Sequence, residues 1–159
     1  MIQATTETNI IAYLSTEDNR IDNSVTSAKI RHLVKFINDM DGSISYSYPA
    51  EVIADRFTKM TFTYEAVDTD LFLGEVYLLP SGSWKYEVYE VSWIGTVNLD
   101  VEQAPSTEKV VLPVSDNNGV VQGLVTKGKL NLTDLSGTAQ VQYNEHETTE
   151  GSNTIYYGQ

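Results

Sequence analysis

The chain has no cysteine. That absence excludes disulfide frameworks, thiolate metal sites and a cysteine nucleophile, and it leaves the redox compartment open. Histidine is nearly absent too: His32 and His146 are the only two, in no His-x-x-x-His spacing, and no metal site is expected from them. No apolar run reaches the length of a membrane span, and the opening "MIQATTETNIIAYLSTED" holds neither a basic stretch nor a secretory apolar segment. The expectation is a soluble chain that stays in the cytosol where it is made unless another protein carries it out. Basic side chains are few, 10 against 22 acidic, for a formal charge of -12. Such a balance repels phosphate backbones and anionic headgroups, and Lys127 with Lys129 is the nearest thing to a basic pair. Neither nucleic acid nor a membrane is expected as a partner.

What the chain has is residues suited to strands. Sixteen Val, seventeen Thr and ten Tyr stand against eight Ala, a bias toward side chains that fit a pleated, half-buried surface. Met60, Phe62 and Tyr64 alternate with polar neighbours, as do Ile44, Tyr46 and Tyr48, and Val97, Leu99 and Val101; each set is expected to be a strand with one face inward. Turn signals recur at Asp41-Gly42, Ser81-Gly82, "SDNNG" ending at Gly119, Lys127-Gly128, Ser136-Gly137 and "EGSN" from Glu150. Short strands at that spacing indicate an all-β fold, an antiparallel sandwich or barrel. A chain of 159 residues can bury roughly two thirds of its unfolded surface as one domain. Residues 29–159 are expected to form it, with residues 1–28 as a polar N-terminal arm or a first strand.

One segment reads two ways. In "VTSAKIRHLVKFINDMDGS", Ile30, Leu33, Val34, Ile37 and Met40 fall on a helical stripe with Thr26 or Ser27 as N-cap. Yet Ile30, His32, Val34 and Phe36 alternate, and Asp41-Gly42 suits a two-residue type I′ hairpin turn. Periodicity alone leaves helix and hairpin open over residues 29–48, and the all-β background favours the hairpin.

The window "LFLGEVYLLPSGSWKYEVYEVSW", Leu71 to Trp93, holds both tryptophans. Trp84, Tyr86 and Val88 occupy even positions, while Tyr89, Val91 and Trp93 occupy odd ones. The phase changes after Val88, so either a bulge re-aims the strand or both of its faces are covered. Leu78 or Leu79, Pro80, Gly82 and Tyr86 resemble the corner of immunoglobulin-like sandwiches, where an early Tyr returns its hydroxyl to nearby backbone. The rings are expected in the core, each burying on the order of 150–250 Å². The competing reading, a carbohydrate site with exposed Trp and Tyr faces, lacks convergent polar groups beyond Lys85 and Glu87.

No constellation for chemistry stands out. There is no Gly-x-Ser-x-Gly elbow and no glycine-rich phosphate cradle. The acidic groups "DTD" at Asp68–Asp70 and "DNNG" at Asp116–Gly119 lack a complete calcium loop and are expected to be turns. His32 is expected to be structural and His146 solvated. The sequon Asn131-Leu132-Thr133 carries no meaning without a secretory route. Catalytic, cofactor-binding and metal residues are all expected to be absent.

Taken in order, "RHLVKFINDMDGSISYSYP", "DRFTKMTFTYE", "LLPSGSWKYEVYEVS", "VTKGKLNL", "VQYNE" and "NTIYYGQ" resemble a group of small structural proteins of tailed bacteriophages, over about Arg31 to the C-terminus. The resemblance implies a non-enzymatic virion component on an immunoglobulin-like or related β-sandwich. It would be assembled in the host cytoplasm, associated with the capsid or the head-tail neck, and present in several symmetric copies against capsid, portal or tail proteins. It also favours the hairpin. Two segments depart from that pattern, "VEQAPSTEKVVLPVSDNNGVVQG" and the N-terminus, and either is a place where a neighbour would dock.

Overall fold

The computed structural model describes residues 1–113 and 117–135. The described chain is an all-β sandwich of two sheets. Nine strands run β1 (Ile2–Thr5), β2 (Ile10–Leu14), β3 (Ile30–Asn38), β4 (Ile44–Ser47), β5 (Ala50–Ile53), β6 (Thr58–Tyr64), β7 (Glu75–Val76), β8 (Gly82–Ser92) and β9 (Val120–Thr133). The larger sheet has the order β1-β9-β8-β3-β4. The smaller has β2-β6-β5, and β7 takes the same edge of β6 beyond the end of β5. Most pairings are antiparallel; β1 with β9 and β6 with β7 are parallel.

The helical stripe at residues 30–40 gives way to the hairpin. β3 pairs along its whole length with β8, from Ile30↔Ser92 to Asn38↔Trp84, and folds back onto β4 from Ile37↔Ile44 to Val34↔Ser47. Burying both faces of a central strand outweighs the local helical pattern. The turn is longer than expected, a four-residue loop over 39–42 rather than a two-residue type I′ turn. The Asn38 N–H donates to Ser43 O at 2.9 Å, and Asn38 Oδ1 accepts from the amides of Met40 and Asp41. That side chain organises the loop, so Asp41-Gly42 does not need to form the turn alone.

Residues 1–28 supply two strands rather than a free arm. Ile2 sits in the core from β1, and Ile10, Ala12 and Leu14 face it from β2. The core between the sheets gathers these with Val34, Phe36, Met60, Phe62, Trp84, Tyr86, Val88 and Leu130. Phe36 and Phe62 meet edge to face across it, with ring centroids 5.2 Å apart.

β8 explains the change of phase after Val88. Its alternation never breaks against β3, and the register shifts lie on its other neighbour, where β9 has two extra residues, Gln122 and Val125. Trp84, Tyr86 and Val88 therefore face the inter-sheet core, while Val91 and Trp93 face a second cluster with Leu33, Tyr48 and Ala104 on the outside of the larger sheet. Both faces of the strand are covered. The cover on the outer side comes from residues 94–113 together with Asn118 and Gly119. Val97 and Leu99 pack onto this cluster although no strand forms there, and Val101 is exposed, contrary to the strand expected at Val97–Val101. Alternation arises because the segment lies flat on a sheet with one side buried, without a ladder of its own.

Two further expectations change. The tyrosine corner is not made by Tyr86: the hydrogen bond back to the turn comes from Trp84, whose Nε1–H donates to Pro80 O at 3.0 Å. Lys127-Gly128, expected as a turn, lies in the middle of the fourteen-residue β9. The glycine is there because Gly128 is directly opposite Tyr86, and a Cβ at that position would come 2.6 Å from the Tyr86 hydroxyl and 2.8 Å from Cζ. Gly128→Ala should therefore destabilise the fold by about 1–3 kcal/mol in urea denaturation, the cost of overpacking a closed site; an unchanged midpoint would show that the Tyr86 ring moves aside freely.

Candidate functional site

Three arrangements of side chains could carry function: an outer apolar face, a clasp of charged and phenolic groups, and a buried acid-imidazole cluster. The first follows from alternation in the smaller sheet. With Ile10, Ala12, Met60 and Phe62 turned inward, Ile11 and Tyr13 on β2 and Val52 on β5 must turn outward. Tyr13 and Val52 flank Lys59 in one cross-strand row, and Ile11 and Ala50 flank Thr61 in the next. Tyr13 is 61% and Val52 64% exposed, and Phe57 packs its ring on Tyr13 at 5.3 Å. Exposed apolar side chains thus line both flanks of the outer face, with Lys59 and Thr61 of β6 between them, an amphipathic surface of the kind that suits a protein contact.

The clasp holds the 94–113 segment to the larger sheet. Lys35 Nζ lies 3.1 Å from Glu108 and 3.8 Å from Glu87. The Tyr46 hydroxyl donates to Glu108 at 2.8 Å and that of Tyr89 to Glu87 at 2.7 Å. Burial pushes the Glu108 carboxyl up, but the Tyr46 hydroxyl and the Lys35 ammonium outweigh it and hold the group below the ordinary carboxylate range. Tyr46 and Tyr89 are both raised, first by burial and then by the carboxylates they serve. Beside them the Tyr48 hydroxyl donates to Pro105 O at 2.6 Å. All of these groups are satisfied by one another, so the clasp fastens one layer to the next.

In the third arrangement, Glu51 of the smaller sheet reaches the larger one. Its Oε2 accepts the backbone N–H of His32 at 2.7 Å, and its Oε1 is 2.7 Å from His32 Nδ1. That amide points away from β8, so His32 and Glu90 form a non-hydrogen-bonded cross-strand pair, the kind in which side chains approach closest. Glu90, 1% exposed, accepts from the amides of Ile21 at 3.0 Å and Asp22 at 2.7 Å. Asp22 in turn accepts from Ser92 at 2.8 Å, and hydrogen bonds from Ser24 and then Ser92 hold its carboxyl below the ordinary range. An imidazole with two carboxylates is acid-base equipment in an open cleft. Here His32 and Glu51 are sealed at 2% and 5% side-chain exposure, and the cluster ties β5 and the 20–25 loop to the larger sheet.

The residues singled out in the sequence fall mostly within the frame. Trp84 and Trp93 are buried at 2% and 1%, each indole N–H bonded to a backbone carbonyl, so neither presents a stacking face. Lys85 pairs with Asp39 instead of converging with Glu87. Asp70 accepts from the Phe72 amide as a turn residue. Asn131 is bonded through Nδ2 to Gln3. Asp116 and His146 lie outside the described residues. Among the described residues no group of three or more His, Cys, Asp or Glu could hold a metal ion, and no helix is long and apolar enough to cross a membrane. Glu51 and Glu90 were not singled out, although Glu90 continues the inward phase of Trp84, Tyr86 and Val88.

Fold and surfaces thus define an all-β sandwich with exposed apolar side chains on the outer face of its smaller sheet. No family model, curated protein or solved structure matches the chain.

Proposed function

We propose that the protein is a non-enzymatic structural component of a tailed-phage virion, head-associated or at the head-tail connection, acting through contacts with other virion proteins in a multi-copy arrangement. The reading starts from the sequence resemblance over Arg31 to the C-terminus. The observation that carries it is the outer face of the smaller sheet, where Tyr13, Ile11, Val52 and Phe57 are exposed on either side of Lys59 and Thr61, apolar area that a free monomer gains nothing by exposing. The alternative, a carbohydrate- or receptor-binding module, loses its stacking platform with both tryptophans inside. With residues 2–5 and 10–14 built into the sheets, contacts would come from faces and edges of the sandwich and not from an N-terminal arm. Mass spectrometry of purified particles, with and without tails, is the test: the protein should be present in stoichiometric amount in at least one preparation. Its absence from both would remove the proposal.

A further inference from the structure

Of the cations outside the ion pairs, Lys29 and Arg31 are the two that stand side by side on one depression of the surface. Lys35, Lys85 and Lys129 each lie within reach of a carboxylate. Lys29 and Arg31 instead spend hydrogen bonds on backbone carbonyls: Lys29 Nζ donates to Ile94 O at 2.7 Å, and Arg31 Nη1 to Ile30 O at 2.7 Å and Ala28 O at 3.3 Å. Both side chains are half-buried, two positions apart on one face of the chain as it enters β3. They line a shallow, open cleft of about 490 Å³, with Gly95, Thr96 and Val97 on its other side.

The cleft is held open by its own bonds. The Trp93 N–H donates to Lys29 O at 2.9 Å, joining the two walls at their base. Asn117 fixes the far wall from behind: its Oδ1 accepts the Gly95 N–H at 2.7 Å, and its Nδ2 donates to Thr96 O at 2.9 Å. A Cβ on residue 95 would lie 2.7 Å from that Oδ1, so glycine is required for the approach. Two cations on pinned stems facing a braced wall lose little freedom when a ligand arrives.

We propose that this cleft binds a carboxylate presented by an acidic segment of a neighbouring protein chain. One Arg31 nitrogen is engaged with the carbonyls, which leaves the rest of the guanidinium fork for an in-plane carboxylate, with the Lys29 ammonium beside it and the Thr96 hydroxyl at the rim. Arg and Lys pair with phosphate as well as with carboxylate, but the Gly95 N–H that would add a backbone donor for phosphate is already committed to Asn117. A net charge of -12 makes close approach of acidic chains unfavourable, and a cationic cleft supplies a point where it becomes favourable and oriented. Binding is a property of the isolated chain, so it stands or falls separately from the virion reading.

The test is a low-salt NMR titration of the full chain with synthetic hexaglutamate, with inorganic phosphate in parallel. Hexaglutamate should shift the amides of Lys29, Arg31 and Thr96 and lose affinity as salt is added. Arg31→Gln should weaken binding roughly tenfold, as loss of one charge-assisted pair would. Gly95→Ala should weaken it without removing charge, by pushing Asn117 away. Lys59→Gln, a half-buried cation on the smaller sheet, should change nothing; circular dichroism on each variant separates loss of binding from loss of fold, and Lys29→Gln stands in for Arg31→Gln if the latter does not fold. Shifts scattered over the surface, equal loss in Lys59→Gln, stronger shifts of the same amides by phosphate, or no shifts at all would each overturn the proposal.

Discussion

Trp84→Ala and Trp93→Ala should each cost about 3–5 kcal/mol, the usual price of emptying a large aromatic site, yet the two variants should come apart differently. Trp84 belongs to the core shared by both sheets, and Trp93 to the separate cluster under the cover that residues 94–113 provide. At about 2–4 °C per kcal/mol for a chain of this size, both should lower the melting temperature by about 6–20 °C. Hydrogen exchange distinguishes them. Trp84→Ala should lower protection across both sheets together, including Met60 and Phe62. Trp93→Ala should first release the amides of Ala104 and Gly119, which donate to Asp100 O and Gln103 O inside the cover. Trp93 Nε1 also bonds Gln103 O, so its loss removes a hydrogen bond to the segment as well as the packing beneath it. Uniform loss of protection in both variants would mean that the two clusters act as a single core.

That division was half visible in the sequence. The phase change after Val88 showed that β8 has two covered faces or a bulge. It could not show that the bulges lie on β9, because they depend on which residues of a distant strand are left over in pairing. β6 was legible because Met60 and Phe62 alternate with threonines in a strand buried on one face. Val97, Leu99 and Val101 alternate just as cleanly without forming a strand, since period-two alternation reports one-sided burial and carries no information about the hydrogen-bond ladder. Lys127-Gly128 misleads for a related reason: the glycine answers to a tyrosine about forty residues away in sequence, not to local backbone curvature. β1 and β2 were obscured by brevity and by Ala12 at the centre of the inward set, which dilutes the signal from Ile10 and Leu14.

The functional surfaces were less legible than the fold. Ile11 and Tyr13 point outward only because Ile10, Ala12 and Leu14 point inward, which is known once β2 is known. Lys29 and Arg31 share a face by simple spacing, but their cleft needs Gly95 to Val97 and Asn117, brought there by the fold. Glu51 and His32 come from different sheets and meet because the chain crosses between layers at Tyr48-Pro49. What the sequence does carry is the polarity pattern of each strand; which polar groups end up facing one another is a property of register.

Raising the pH above about 10 should unfold the protein in a cooperative step, led by the outer cluster. The Tyr48 hydroxyl is enclosed, and burial pushes its phenol above the ordinary value of 10.0. Tyr46 and Tyr89 move the same way, first through burial and then through the Glu108 and Glu87 carboxylates that accept their protons' hydrogen bonds. In the unfolded chain these phenols release their protons near 10.0, whereas in the folded chain they keep them. Above that pH the unfolded state therefore binds fewer protons, and stability falls; the contribution is fully present below 10 and is lost as pH rises toward the folded values. Tyr48 alone sets a slope of about 1.4 kcal/mol per pH unit, with smaller additions from Tyr46 and Tyr89, which solvent partly screens. Two pH units then withdraw about 3 kcal/mol, a large part of the 5–15 kcal/mol typical of a folded domain. The measurement is phenolate absorbance followed together with near-ultraviolet dichroism. Absorbance should rise steeply as the dichroism collapses, and Tyr48→Phe should make the alkaline slope shallower while costing about 1 kcal/mol at neutral pH through the lost bond to Pro105 O. Tyr46 and Tyr48 bond the cover through Glu108 and Pro105 O, and Tyr89 packs in the same cluster, so the amides of residues 94–113 should exchange before those of β3 and β8. An absorbance change accounting for all ten tyrosines with the dichroism intact would show that the outer cluster opens to hydroxide without unfolding, and would contradict the enclosure of Tyr48 on which the slope depends.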